Sequence, residues 1–228
     1  HEAWGSLARK LAHEIKNPLT PIQLTIDRLK NKYSSNLTEK NKNDFEDNLK
    51  IINNQIKQIE KLVNEFSDFA RMPKPVFQNN DLIILMRDNI KLLNELDVSI
   101  KIDFIHNIKR IIFNSDKEQL SRVFFNLIKN SIESIQQKAE NIDSFSKNIS
   151  IELNEVNGHI EFIINDNGVG FKNFNNNINE ILNPYFTTKK QGTGLGLSIV
   201  NKIINDHNGN IQFISKTDGA IIKIIFIK

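Results

Sequence analysis

One histidine has neighbours suited to nucleophilic chemistry. His13 lies between Leu11 and Ile15 on a predicted helix, and at about 100° per residue it points away from their apolar stripe. Glu14 is adjacent and can accept an imidazole proton, while Asn17 lies one turn further on the same face. A solvated or a satisfied core histidine is the commoner explanation of a single His. These neighbours favour an exposed nucleophile instead.

Two further segments carry groups that suit a nucleotide and its metal. Asn126 and Asn130 are four residues apart on a predicted helix, so their amide oxygens can ligate Mg²⁺ together with phosphates and water. By itself the pair is more simply two amides in an Asn-rich chain. Asp166 ends a predicted strand, and Gly168 and Gly170 after it let the backbone turn and approach a ligand. An ordinary turn explains the same residues.

A glycine-rich segment near the end of the chain adds a candidate phosphate site. The sequence GTGLGLS at residues 192–198 leads into a predicted helix, whose first amides and positive dipole end suit phosphate. The segment is not a P-loop, and its GxGxG spacing departs from the dinucleotide-binding fingerprint. The polar residues 171–191 before it are too irregular for a core, and we expect them to form a mobile lid.

Composition excludes several classes of function. The 228 residues are 39% hydrophobic, with a net charge of +3 that is too small to favour a nucleic-acid partner. With no Cys, the chain has no disulfide framework and no thiolate zinc site. No His/Asp/Glu group has zinc spacing and no Ser lies in a nucleophile elbow. No apolar run reaches the roughly 20 residues of a membrane span, and we interpret the abrupt start at His1 as a cut within a longer protein.

Two narrow apolar stripes predict a helical hairpin at the beginning of the chain. The first comprises Leu7, Leu11, Ile15, Leu19, Ile22, Ile26, Leu29 and Tyr33, and the second comprises Phe45, Leu49, Ile52, Ile56, Ile59, Val63, Phe66 and Ala70. A polar turn at residues 34–36 joins them. Because a two-helix hairpin has little core of its own, we expect two hairpins to pair into a homodimeric four-helix bundle.

The pattern changes after a proline-containing linker. Pro73 and Pro75 end the second helix, since proline lacks the amide hydrogen that a helix needs. We predict helices over residues 81–96 and 194–207, and a third of about 20 residues opened by a capping box at residues 115–118. Strands are predicted over residues 98–104, 111–113, 149–156, 159–165, 210–215 and 220–227. The expected fold class is α+β, with strands in one layer and helices in the other.

Five segments, in this order, resemble the sequence boxes of bacterial sensor histidine kinases. They are HEIKNPLTP at residues 13–21 (phosphoacceptor box), NLIKN at 126–130 (asparagine box), DNGVG at 166–170 (first glycine box), PYFTTK at 184–189 (phenylalanine box) and GTGLGLS at 192–198 (second glycine box). The resemblance covers almost the whole chain, and residues 3–5 and 18–23 are similar to nitrogen-regulation NtrY-like kinases. Tyr185 stands where the family often has Phe, which is a mild departure.

The resemblance implies a protein-histidine kinase with two domains. Residues 1–72 would form the dimerisation and histidine-phosphotransfer domain, and residues 73–228 a catalytic ATP-binding domain of the histidine kinase/gyrase/Hsp90 type. The implied catalytic residues are His13, Glu14 and Asn17. The implied ATP-binding residues are Asn126, Asn130, Asp166, Gly168, Gly170, Phe186, Thr188, Lys189, Gly192, Thr193, Gly194, Leu195 and Gly196. Asp166 would contact the adenine, and Asn130 and Asn126 would hold Mg²⁺.

The same resemblance implies the partners. We expect autophosphorylation of His13, transfer to an aspartate of an NtrX-like response regulator, and a weaker phosphatase activity through Asn17. The module would be cytoplasmic and its parent protein would lie in the inner membrane. Two other classes stay open: a nucleotide-binding scaffold that does not phosphorylate itself, and another ATPase of this fold. The latter would be a chaperone or topoisomerase relative and would need a Glu where this chain has Asn126.

Overall fold

The computed structural model describes residues 2–70, 72–142, 144–171, 181–182 and 194–228, and these form two compact units. The first contains α1 (Glu2–Tyr33), a 3-10 turn (Ser34–Asn36) and α2 (Glu39–Ala70). The second contains β1 (Gln78–Asp81), α3 (Leu82–Asn94), β2 (Lys101–His106), β3 (Ile112–Ser115), α4 (Lys117–Ala139), β4 (Asn148–Val156), β5 (His159–Asp166), α5 (Gly196–Asp206), β6 (Gly209–Ser215) and β7 (Ala220–Ile227). Within these ranges, no helix is both long and apolar enough to cross a membrane.

The first unit is the predicted helical hairpin. Its core is a small cluster of buried residues, Leu19, Ile26, Leu49 and Ile56, with Ile15 and Phe45 packed against it. Within each helix the buried members are seven residues apart, as in a coiled-coil seam. Other members of the two predicted stripes, among them Ile22 and Ile59, are exposed in the single chain. The hairpin therefore buries only part of its apolar surface.

Near the start of α1 the buried row differs from the predicted stripe. Ala12 is 5% exposed, whereas Leu11, which we predicted to be buried, is 45% exposed. Ala8 is also buried, so the small residues Ala8 and Ala12 face α2 at this level. Small side chains let two helices approach closely, and hydrophobicity alone did not identify them.

The second unit is the predicted α+β sandwich. Its five-stranded sheet has the order β2-β4-β5-β7-β6, with β2 and β4 parallel and the other pairs antiparallel. Buried and partly exposed residues alternate along β4, β5 and β7, so one face of the sheet is covered. The helices α3, α4 and α5 pack on that face. Phe124 of α4 and Phe162 of β5 meet in this core, with ring centroids 5.2 Å apart.

Local sequence rules explain several boundaries of this unit. Asn157 and Gly158 both have positive φ, as the predicted β4–β5 turn requires. The cap of α4 differs from our prediction. Its N-cap is Asp116, which accepts a hydrogen bond from the Gln119 amide at 2.9 Å, whereas Ser115 is buried and donates to the Phe113 carbonyl.

Two strand assignments also differ from the sequence-based ones. Residues 78–81 lack an apolar alternation, and no strand is predicted there, since residues 78–80 fall in the linker and residue 81 begins the predicted helix. They form β1, which pairs antiparallel with β3 in a separate two-stranded sheet. The strand predicted from residue 98 begins at Lys101 instead. Asp97 accepts hydrogen bonds from the amide and hydroxyl of Ser99, and this turn takes the place of the strand's first residues.

Candidate functional site

His13 lies on the exposed surface of α1, as predicted. It lines a small cavity of about 60 Å³ together with side chains of both helices. We call this cavity the His13 groove. Its polar lining is formed by Arg9, His13 and Lys16 of α1 and by Asn64, Ser67 and Asp68 of α2. Buried Ala12 forms part of its wall.

The groove follows from helix geometry. At about 100° per residue, Arg9 and Lys16 lie about 40° and 60° from His13 on the side of Ala12, which faces α2. Asn17 lies about 40° to the other side and Glu14 about 100°. Both are exposed and are not among the residues that line the groove. The two predicted partners of His13 therefore occupy one side of the imidazole, and two cations occupy the other.

Asp166 is buried at the end of β5. It follows Ile160, Phe162 and Ile164 at alternate positions, so its side chain lies on the covered face of the sheet and is 5% exposed. Ser131 donates its hydroxyl to one carboxylate oxygen at 3.0 Å, and the Gly168 amide donates to the other at 2.9 Å. Burial raises the pKa of the Asp166 carboxyl above its ordinary value, and these hydrogen bonds partly offset that rise.

Each of the two glycines after Asp166 is required by a different close contact. A Cβ on Gly168 would overlap the Ser134 hydroxyl and lie 2.6 Å from the Ser134 carbonyl carbon. Gly170 has a φ of +66°, and a Cβ there would lie 2.9 Å from the carbonyl carbon of Gly219. The loop after β5 is thus pressed against α4 on one side and against the β6–β7 turn on the other. Only glycine satisfies both contacts.

Asn126 and Asn130 are half-buried on successive turns of α4. The Asn126 amide nitrogen donates to the Arg122 carbonyl at 2.8 Å, so the amide oxygen points away from that carbonyl. That oxygen would lie 3.7 Å from a Cβ on Gly196, the first residue of α5. It therefore faces a helix N-terminus, where phosphate groups bind. The described residues contain no group of three or more His, Cys, Asp or Glu that could hold a metal. Amide oxygens can supplement phosphates and water as ligands of Mg²⁺.

The second glycine segment is described only from Gly194. Gly194 has a φ of +71°, Leu195 is buried and Gly196 begins α5. Residues 172–180 and 183–193 lie outside the described part of the chain. Most of the predicted lid, and the predicted ATP-binding residues Phe186, Thr188, Lys189, Gly192 and Thr193, fall at those positions.

Both units match known family models. Residues 3–75 match the His Kinase A (phospho-acceptor) domain, and residues 115–227 match the histidine kinase-, DNA gyrase B- and HSP90-like ATPase domain. The chain belongs to the sensor histidine kinase family. The family assigned from the sequence boxes is thereby confirmed.

Relatives of this histidine kinase carry the NtrY name. An NtrY-like sensor histidine kinase of Rickettsia prowazekii is 38% identical, over 98% of this chain and 36% of that protein. The nitrogen regulation protein NtrY of Azorhizobium caulinodans is 36% identical, over 95% of this chain and 28% of that protein. The chain therefore spans about a third of the length of these relatives.

Solved histidine kinases have the same fold. The catalytic domain of histidine kinase ThkA aligns with a TM-score of 0.58 at 26% identity, over 67% of this chain and 96% of that domain. ThkA in complex with the response regulator protein TrrA aligns with a TM-score of 0.65 at 24% identity, over 99% of this chain and 62% of that chain. The predicted fold class, a helical part followed by an ATPase-type sandwich, is confirmed.

Sequence reasoning missed some residues that shape the surroundings of Asp166. Ser131 and Ser134 of α4 hold Asp166 and the loop after it, and Ser134 accepts the Val169 amide on its hydroxyl at 3.1 Å. Lys138 donates to the Asn167 carbonyl at 2.7 Å and pairs with Asp218. A signal for Ser131 existed, because it falls on the buried stripe of α4 between Ile128 and Ile135. A polar residue at a core position usually has a specific partner.

Proposed function

We propose that this module uses Mg-ATP to phosphorylate His13 and passes the phosphoryl group to an aspartate of a response regulator. The observation that carries the proposal is the exposure of His13 on a helix that matches the phospho-acceptor domain. A nucleophile that must meet first a nucleotide and then a protein has to be accessible. The proposed domains are those expected from the sequence, residues 1–72 and 73–228.

The nucleotide would be held by the residues around Asp166. Its buried carboxylate would accept a hydrogen bond from the adenine amino group, and the close-packed glycine loop beside it would line the adenine pocket. The N-terminus of α5 would bind phosphate oxygens. Phe186, Thr188, Lys189, Gly192 and Thr193 are proposed to complete this site, as the family resemblance implies.

Asn126 and Asn130 would hold Mg²⁺, which when bound neutralises phosphate charge. The residues fit this ion because both carry half-buried amide groups, and the amide oxygen of Asn126 lies beside the N-terminus of α5. Asn126 also bears on the reaction type. Related ATPases of this fold carry at this position a Glu that activates water, and an amide cannot take that proton. Its presence favours transfer to a side chain over hydrolysis.

The transfer step involves one bond made and one broken. The unprotonated ring nitrogen of His13 attacks the γ-phosphorus, and the bond from that phosphorus to the bridging oxygen breaks as ADP leaves. The imidazole then carries a positive charge, so its remaining N–H becomes acidic. Glu14, exposed beside His13, accepts this proton or orients the ring. The product is phosphohistidine.

The acceptor would be a receiver domain of the NtrX type. ThkA, which has this fold, was solved with a response regulator, and NtrY-named relatives share most of this chain. Asn17 is proposed to orient water for dephosphorylating that partner. In a test with a purified receiver domain of this type, Asn17→Ala should keep autophosphorylation but lose regulator dephosphorylation. Undiminished dephosphorylation would remove this role.

The hairpin is proposed to form a homodimer. Its cluster at Leu19, Ile26, Leu49 and Ile56 is complete within one chain, but a second apolar row on the same helices is exposed. Pairing with a second hairpin would bury that row and form a four-helix bundle. The parent protein is proposed to lie in the inner membrane, as its NtrY-named relatives suggest, with this module in the cytoplasm.

The decisive experiment is autophosphorylation with Mg²⁺ and γ-labelled ATP. The wild type should acquire an acid-labile label that His13→Gln abolishes while nucleotide binding persists. His159→Gln is the matched control, because His159 is also exposed but lies in the second unit. Nucleotide binding without any label would favour a regulatory scaffold. Label retained in His13→Gln would contradict the assignment of the acceptor.

A further inference from the structure

The His13 groove has a charge distribution that the proposed catalytic residues do not explain. Arg9 and Lys16 lie one turn before and one turn after His13, and both line the groove. Glu14 and Asn17, which serve the proton and the water in the proposed mechanism, lie on the other side of the ring. Two cations therefore adjoin the imidazole on a side to which no role has been given.

The groove also contains hydrogen-bonding groups from the facing helix. Asn64, Ser67 and Asp68 of α2 line it, at a spacing that places them on one face of that helix. An amide and a hydroxyl can donate to phosphate oxygens. The volume of about 60 Å³ holds several water-sized groups, enough for the oxygens of one phosphoryl group.

We propose that the His13 groove is an anion site in which Arg9 and Lys16 bind the phosphoryl group carried by His13. A phosphoryl group is an anion near neutral pH, and flanking guanidinium and ammonium groups stabilise its charge. Asp68 lies in the same groove, and its carboxylate repels the phosphoryl group. The inference rests on the proposed function, because it takes His13 as the phosphorylated residue.

The two sides of the ring then have different tasks. The side of Arg9 and Lys16 holds the phosphoryl oxygens, and the side of Glu14 and Asn17 is left to the proton and to water. Separation is favourable, because a carboxylate close to the phosphoryl oxygens would repel them. Asp68 limits the binding strength of the groove, and this suits a group that must leave for a second protein.

The test uses chemical phosphorylation, which requires no nucleotide site. The full chain is treated with phosphoramidate, which phosphorylates exposed imidazoles. The ³¹P NMR resonance of phosphorylated His13 is identified by its absence from treated His13→Gln. Its position is then followed as pH is varied. Nearby cations disfavour protonation of the phosphohistidine and lower the pKa that this resonance reports. We expect Arg9→Gln and Lys16→Gln each to raise it by about 0.2 to 0.7 pH units, the range of an ion pair in an exposed groove.

Three further variants separate binding from a structural role. Asp68→Asn should lower the pKa of the phosphohistidine by a similar amount. A purely structural role, in which both variants act by breaking an Arg9–Asp68 ion pair, would instead shift this pKa in the same direction in Asp68→Asn and Arg9→Gln. Arg9→Lys should restore most of the wild-type value. Lys10→Gln is the matched control, because Lys10 lies equally close along α1 but about 60° to the other side of His13. Its effect should be clearly smaller.

The outcomes are distinct from those of the kinase assay. Equal shifts in Arg9→Gln and Lys10→Gln, or shifts of the same sign in Arg9→Gln and Asp68→Asn, would overturn the anion site. A His13 that phosphoramidate cannot modify would also overturn it. A wild type that ATP does not label, but that shows the expected shifts after chemical phosphorylation, would contradict only the proposed kinase function.

Discussion

The hairpin and the α+β unit differ in how completely one chain buries their apolar residues. In the α+β unit the rings of Phe124, Phe162 and Phe226 are fully buried between the sheet and its helices. In the hairpin, Ile22 and Ile59 are 46% and 41% exposed although they belong to regular apolar rows. One unit has a complete core, and the other leaves an apolar row exposed in the single chain.

The chemical groups of the two units differ in the same way. Asp166 is buried and held by two hydrogen bonds, as suits recognition of a ligand by a preformed site. His13 is exposed in an open groove, as suits a group that reacts with successive partners. Under the proposed function, recognition therefore lies in the unit with the complete core, and the reacting group lies on the unit with the exposed apolar row. Variants in each unit can test whether the two properties are separable.

The strongest test of the comparison is a charge in the open row of the hairpin. Ile59→Glu should weaken self-association by more than about a hundredfold, because a symmetric dimer would bury the new carboxylate twice. Sedimentation over a concentration series measures this. ATP affinity should stay within about twofold, since mutations in separate units behave independently.

Ile105→Glu provides the control for that variant. Ile105 is 52% exposed on β2, so the same substitution is made at similar exposure in the other unit. It should leave self-association unchanged. A wild type that is monomeric, or two variants that dissociate equally, would contradict the assignment of the open row to dimerisation.

A second test removes the charge of Asp166. Burial raises the pKa of this carboxyl, so the folded state binds its proton more tightly than the unfolded chain does. Its contribution to stability therefore falls as pH rises from the ordinary value to the raised one, and at pH 7 the charge opposes folding. Asp166→Asn should keep the free energy of unfolding within about 1 kcal/mol of wild type or raise it.

The same variant should lose nucleotide affinity by about ten- to hundredfold, the range for a hydrogen bond to a charged group. Titration with a fluorescent ATP analogue measures this, and urea unfolding measures stability. Asp103→Asn, at an exposed salt bridge on β2, is the control and should change neither. Unchanged affinity in Asp166→Asn would break the link between the buried carboxylate and nucleotide recognition.

Local patterns were enough to predict much of the fold. The β4–β5 hairpin follows from Asn157 and Gly158, whose positive φ angles are a property of the turn itself. The helical hairpin follows from periodicity, and His13, Asn126 and Asp166 from segments with family resemblance. Asp166 also had a purely physical signal, since it continues the alternation of β5 onto the covered face.

The features that were missed depend on distant parts of the chain. The strand Gln78–Asp81 has no apolar pattern and exists through its pairing with β3, more than 30 residues away. Ser131 is important because Asp166 lies 35 positions later. The groove beside His13 depends on which residues of α2 face it, and small Ala12 rather than Leu11 turned out to be the buried neighbour. Sequence periodicity carries no information about such pairings.

A third test perturbs the loop after β5 without changing charge. In Gly168→Ala the new Cβ would overlap Ser134 and lie 2.8 Å from the Ile135 amide nitrogen, so the loop must shift. We expect a loss of about 1 to 3 kcal/mol in stability from overpacking and about a tenfold loss of ATP affinity from misplaced contacts. Gly158→Ala is the control, because its φ of +79° adds strain but no atom lies within 4 Å of the Cβ. It should lower stability and leave ATP affinity unchanged.

The smallest expected effect concerns His207 and whether the α+β core depends on a neutral histidine. His207 is buried, accepts the Asp116 amide on Nε2 at 3.0 Å and donates Nδ1–H to the Ile203 carbonyl at 2.8 Å. Protonation of Nε2 would break the first bond. Burial lowers the pKa of His207, so the folded state binds fewer protons than the unfolded chain does. The stability from this residue is complete above the ordinary value near 6.5 and is lost as pH falls toward the lowered value.

His207→Gln should therefore cost about 1 to 2 kcal/mol at pH 7.5, the range for a lost buried hydrogen bond, and progressively less toward pH 5. Urea unfolding of both proteins at several pH values measures the gap, and other titrating groups cancel in the difference. His159→Gln, at an exposed histidine of the same unit, should show no gap that changes with pH. A constant gap for His207→Gln would mean that the core tolerates the charged ring. The α+β unit would then resemble the open hairpin more closely than its burial suggests.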